Sequence, residues 1–260
     1  VTKRELSSQA KAVKEEFIRL RGFWVDEYDE MAILCPEFLE RLVATGSIVK
    51  KSSTLSPKLH HLVAVALDAS VTHLFDEGTR LHMRAAFELG ATKEEMVEVI
   101  QILSFLGLQS QLVALPIVID LLDENDVTRK QAMRTHDTED ENLKERFIKN
   151  TGAWSVAHDM LLGVSKDYFP TYLDQLDVPY QGSALDPRER ALVLFAANVS
   201  ITHLTCRGIR ESAEAALASG CSGEDLIHVL RLASSLGLQS CVRSFPILLD
   251  ELDRLDEKQG

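Results

Sequence analysis

Apolar residues recur at three- and four-residue spacings along nearly the whole chain, the period of helices packed on one face. From Ser8 to Leu20, Val13, Phe17 and Leu20 mark such a face. Pro36 starts a helix over about Glu37 to Val43, and the stretch Thr45 to Ser56, with Gly46, Lys50-Lys51 and Ser52-Ser53, reads as a loop. Ser56-Pro57 and Asp186-Pro187 each supply an N-cap followed by proline at the first helical position. The helices that follow carry Leu62, Val63, Val65 and Ala66 in one case and Leu192, Val193, Phe195 and Ala196 in the other. Both are apolar almost all round, so both are predicted to be central and buried. A further helix runs from about Asp76 to Leu89 and stops at Gly90. Thr92 and Glu95 form a capping box for the next, whose face holds Met96, Val99, Ile100 and Leu103. A break is expected near Gly107, then a last helix with Pro116 near its start. Strand signals are weak: no run alternates between tight turns, and aromatics are only 6%. The fold class is all-α.

The pattern also repeats. Displaced by 130 residues, the chain matches itself without a gap: Gly22-x-Trp24 meets Gly152-x-Trp154, Thr72-His73-Leu74 meets Thr202-His203-Leu204, and Gly107-Leu108-Gln109-Ser110 meets Gly237-Leu238-Gln239-Ser240. Roughly a third of the paired positions are identical, and the period is too long for a solenoid array of about 20–50 residues. Two domains follow, 1–130 and 131–260, linked by the acidic segment His136 to Asn142.

Composition narrows the partners. A formal net charge of −12 argues against nucleic acid and against anionic membrane surfaces. Hydrophobic content of 45% with 26% charged residues describes a globular protein, with no apolar run of the ~20 residues that a membrane span needs. The start, Val1 to Leu6, is polar and lacks a signal-peptide core. Cys35, Cys206, Cys221 and Cys241 make no CxxC pair and divide one to three between the halves, which fits reduced thiols and a cytoplasmic setting. No metal-ligand pattern is present, and His60-His61 would point apart on a helix.

The run Arg80-Leu81-His82-Met83-Arg84-Ala85-Ala86, with Gly90 and Thr92-x-Glu94-Glu95 after it, resembles the carboxymuconolactone decarboxylase family, within the alkyl hydroperoxidase D-like superfamily. The resemblance spans roughly residues 50–123 and, more weakly, 180–253. It implies two copies of an alkyl hydroperoxidase D-like helical domain and a cofactor-free decarboxylase, lyase or isomerase acting on a small carboxylated lactone or related acid. It further implies a role in aromatic compound catabolism. Because single-domain relatives form hexamers, it also implies a homotrimer with pseudo-sixfold arrangement.

The departures from the family are informative. Where the hydroperoxidase branch has its Cys-x-x-Cys, this chain has Phe75 and Gly78, and the second copy has Thr205 and Gly208. A two-thiol peroxidase is thereby removed, leaving Cys206 as the one thiol near a site for a redox alternative. A non-catalytic binding or assembly protein is the third reading. His82 matches the family's functional histidine and is the candidate acid/base. Arg80 is the candidate partner for a carboxylate or oxyanion, and His73 a helper, although each also has a plain structural use. His61, Gln109 and Ser110 are candidate substrate contacts. In the second copy His82 is replaced by Ser212, which predicts one working site per chain.

Overall fold

The computed structural model describes residues 5–182 and 184–259, so the polar start at Val1 to Arg4 lies outside the described residues. The helices in chain order are α1 (Ser8–Arg21), α2 (Glu27–Leu34), α3 (Pro36–Lys51), α4 (Pro57–Asp68), α5 (Asp76–Glu88), α6 (Lys93–Ser104) and α7 (Leu108–Leu121). They continue as α8 (Val127–Ala132), α9 (Thr138–Thr151), α10 (Val156–Val164), α11 (Tyr168–Gln181), α12 (Pro187–Val199), α13 (Cys206–Ala218), α14 (Gly223–Ser235) and α15 (Leu238–Gln259). No strand occurs among the described residues.

Contacts group the chain into two compact units, Val1–Ser53 with Ser234–Gly260, and Thr54–Ala233. The boundary expected at 130/131 falls inside the second unit, within α8. In the first unit α1 packs on α3, and α15 packs on α2. Phe17, Phe23, Trp24 and Tyr28 meet edge-to-face there, and the Trp24 Nε1–H donates to Asp29 at 3.1 Å.

The second unit is organised on α4 and α12, which pack against each other. Leu62 to Leu67 and Leu192 to Val193 are almost wholly inaccessible to solvent, in keeping with their all-round apolar pattern. Where these helices end, Ser70 Oγ donates to Ser200 Oγ at 3.1 Å, and the Thr72 and Thr202 hydroxyls lie 2.9 Å apart. Each pair joins residues 130 apart, the contact pattern that a local two-fold produces.

Polar pairs fasten the outer helices to this centre. Lys58 pairs with Glu95, and at the positions 130 further on Arg188 pairs with Asp225 at 2.9 Å. Burial opposes ionisation of Asp225, but the Thr54 hydroxyl, the Ser222 amide and the Arg188 guanidinium donate to the carboxylate, outweigh it and hold the carboxyl down at about 2. A second set crosses between the halves. Glu98 of α6 accepts from Arg190 Nε of α12 at 3.3 Å and from the amides of Ala184 and Leu185 at 3.1 and 3.0 Å. At the equivalent positions His60 of α4 faces His228 of α14, nitrogen to nitrogen, at 3.2 Å.

Four local expectations are corrected. The loop expected from Thr45 is helical to Lys51; α3 accommodates Thr45 and Ser47 with their hydroxyls turned back to the carbonyls of Arg41 and Val43. The acidic linker at His136 to Asn142 is the start of α9, with Asp137 capping the amides of Glu139 and Asp140. The break expected near Gly107 is a 3₁₀ turn over Phe105–Gly107, but Pro116 lies well inside α7 rather than near its start. Counted through their turns, the helical runs Lys93–Leu121 and Gly223–Lys258 are long and apolar enough by length and composition to cross a membrane. Met96, Val99, Ile102 and Leu103 of the first run are instead buried within the unit.

Glu98 is 5% exposed and compensates Arg190, which is 7% exposed. Removing one partner of such a pair strands a buried charge, so Glu98→Ala is expected to cost about 3–5 kcal/mol. Urea denaturation measures this, and a loss no larger than the about 0.5 kcal/mol of a surface change would contradict it.

Candidate functional site

The end of α4 and the start of α5 are tied through a tight turn. The Phe75 amide donates to the Asp68 carbonyl at 2.9 Å, the His73 amide to Ser70 at 2.8 Å, and Leu74 takes a left-handed φ of 48°. Gly78 then lets α5 approach the Asp68 carboxylate: a Cβ there would fall 2.3 Å from Asp68 Oδ2. One turn further along α5 stands His82.

His82 lies between two groups of α4. Its Nδ1 is 2.9 Å from His61 Nδ1, with the rings tilted by 36°, and its Nε2 is 3.9 Å from Asp68 Oδ2. Asp68 is 2% exposed and the His82 side chain 23%. Only one of the two facing Nδ1 atoms can carry the proton. The tautomer that satisfies both contacts has His61 donating from Nδ1 and His82 presenting its Nε2–H toward the carboxylate. A third proton entering this pair is stabilised by the nearby negative charge. Two imidazoles and a buried acid on adjacent helices therefore form a relay able to take up or release a proton.

The other anticipated residues lie elsewhere. His73 is half-buried in the turn, its ring 6.2 Å from that of Phe75. Arg80 is on the exposed face of α5. Ser110 is exposed and donates its hydroxyl to the Gly107 carbonyl at 2.6 Å, closing the turn into α7. Gln109 is turned to the second half, with Nε2 3.0 Å from where a Cβ on Gly208 would stand. Sequence reasoning passed over Asp68. The available signal was an acid at the end of a helix otherwise apolar all round, matched 130 residues on by Asn198.

The second half places Ala191, Asn198, Gly208 and Ser212 at the positions of His61, Asp68, Gly78 and His82. Ser212 is 3% exposed and donates to the Gly208 carbonyl at 2.6 Å, so its hydroxyl is committed to its own helix. None of the four titrates near neutrality. Among the cysteines, burial pushes the Cys221 thiol up to about 11 and also raises Cys35, while Cys206 is exposed at the first residue of α13. Among the described residues no group of three or more His, Cys, Asp or Glu is arranged to hold a metal ion.

Residues 36–118, from α3 into α7, match the family model of the Carboxymuconolactone decarboxylase family. A solved structure from Burkholderia xenovorans, provisionally named a gamma-carboxymuconolactone decarboxylase subunit, superimposes with a TM-score of 0.85. It is 26% identical, and the alignment covers 96% of this chain and 99% of that one. No curated protein matches the chain.

The geometry makes a spectroscopic prediction. With the carboxylate 3.9 Å from His82 Nε2, Asp68→Asn removes a negative charge that favours the imidazolium, so the pKa of His82 should fall. NMR titration of the ring protons reports it, and an unchanged or raised value would exclude Asp68 as the partner.

Proposed function

We propose that this chain, which resembles the Carboxymuconolactone decarboxylase family over residues 36–118, is a cofactor-free lyase or isomerase of small carboxylated lactones or related acids. The observation that carries the reading is the His61–His82 pair held beside Asp68. In decarboxylation the bond between the ring carbon and its carboxylate breaks and carbon dioxide leaves. The electron pair passes through the unsaturated system to the lactone carbonyl oxygen. The relay then delivers one proton to carbon and is recharged from water, so the step consumes one proton overall. An isomerisation would use the same relay to remove a proton at one carbon and return it at another. Arg80, exposed on α5, carries no step in this reading.

Carbon dioxide release from carboxymuconolactone tests the proposal. His82→Ala is expected to lower kcat by about 10²- to 10⁴-fold, the usual worth of a positioned acid or base. Cys206→Ser should leave turnover unchanged, in contrast to the redox alternative. Full activity of the His82 variant, or loss in the cysteine variant, would overturn the assignment.

The assembly we propose is a homotrimer with pseudo-sixfold arrangement. In its support, α7 exposes Val113, Ile117, Val118 and Leu121, an apolar stripe that a neighbouring copy would cover. Sedimentation should give three chains, and a monomer at micromolar concentration would count against it.

A further inference from the structure

We propose that the second half of the chain holds a binding site of its own, for a compact, uncharged molecule that donates a hydrogen bond, such as a short alcohol. The site is separate from the His61–His82 relay and independent of the reaction proposed there.

A cavity of about 60 Å³ lies here, walled on its apolar side by Phe105, Leu112, Tyr172 and Leu194. One water needs about 10–15 Å³ of such space, so the cavity accepts about four to six water-sized groups. Its polar end is built around the bare α-carbon of Gly208. A Cβ at that position would fall 2.3 Å from Asn198 Oδ1, 2.7 Å from Thr205 Oγ1 and 3.0 Å from Gln109 Nε2. Three polar side chains from α7, α12 and the start of α13 thus converge on one point.

The convergence leaves hydrogen-bonding capacity unused. Asn198 Oδ1, Gln109 Oε1 and Thr205 Oγ1 are buried without a partner. Asn198 is 2% exposed, and its Nδ2 donates to the Leu194 carbonyl at 2.9 Å. That bond fixes the amide orientation and leaves the oxygen, an acceptor, facing the cavity. Leaving a buried acceptor unmade costs about 1–3 kcal/mol, and a ligand hydroxyl recovers it.

The titratable groups in the walls are His158, Glu211, Tyr172 and Tyr180. His158, 1% exposed, accepts at Nδ1 from the Ser155 amide at 3.1 Å, which requires the neutral ring. Burial, reinforced by the Arg207 cation, pushes its pKa down to about 4. Burial raises the pKa of Glu211, and the Arg207 guanidinium 3.8 Å away opposes that rise. Burial holds Tyr180 up at about 12 and raises Tyr172 as well, so both phenols keep their protons. A carboxylate entering this cavity would meet the acid Glu211 in its wall, whereas a hydroxyl can donate to Asn198 Oδ1 and accept from Gln109 Nε2. The lactone acid proposed for the relay is for that reason not the ligand here. Gln109, expected beside His82, is reassigned by this geometry to the second cavity.

The test titrates the whole chain with 2-methylpropan-1-ol and, as the charged counterpart of similar shape, 2-methylpropanoate, following the side-chain amide signals of Asn198 and Gln109 by NMR. Saturable shifts with the alcohol are expected in the millimolar range, on the order of what five heavy atoms provide. The acid anion at neutral pH should bind at least tenfold more weakly. Gln109→Leu should weaken the alcohol at least tenfold, the loss of one buried hydrogen bond. Gly208→Ala, which fills the cradle, should abolish binding. Because the added Cβ also presses on Asn198 and Thr205 and so perturbs folding, the half-buried Gln109 variant, checked for an unchanged amide spectrum elsewhere, is the deciding one. His82→Ala should bind the alcohol as the parent chain does. Absence of saturable shifts, meaning that water alone fills the cavity, would overturn the proposal, as would equal affinity for the anion or for Gln109→Leu.

Discussion

Packing of α4 against α12 is the constraint on which the rest of the larger unit depends. Both helices are apolar on nearly every face, so neither can be stable at a surface, and each supplies the other with the cover it needs. Their meeting brings Ser70 to Ser200 and Thr72 to Thr202, which pins the turns leading into α5 and α13. Those turns set where His82 and Ser212 stand. The same contact brings α6 to Arg190 and α14 to His60, through pairs that join one half of the chain to the other.

Equivalent positions do different chemistry on this shared frame. Arg190 with Glu98 is a compensated buried ion pair, whereas His60 with His228 is a contact between two imidazoles, of which burial lowers the pKa of His228. Asp68 stands with His82 and His61, the relay proposed above, whereas Asn198, Ser212 and Ala191 carry no group that titrates near neutral pH. The glycine on which each arrangement turns is kept in both halves. Gly78 admits the carboxylate and Gly208 admits the amide, so the backbone geometry is common and the side chains divide the work.

Much of this was legible in the chain alone because helices announce themselves locally. The Thr92 capping box, the Ser56-Pro57 and Asp186-Pro187 starts and the buried pattern of α4 and α12 each depend on residues within a turn or two of one another. Local reading failed where a polar residue had two uses. Thr45 and Ser47 look like loop formers until their hydroxyls are seen bonded to carbonyls one turn back. The acids after His136 look like a linker until Asp137 is seen to cap α9.

Sequence by itself determined the helical class, the 130-residue correspondence between the halves, and the presence of a histidine at position 82 where the second half has Ser212. Tertiary structure alone decided the company each residue keeps. Only the approach of α5 to α4 puts Asp68 and His61 against His82, and only the entry of α7 into the second half carries Gln109 to Asn198. The reason is physical: periodicity and capping act over one or two turns, whereas a site is made by side chains remote in the chain and joined by burial, which no local pattern encodes.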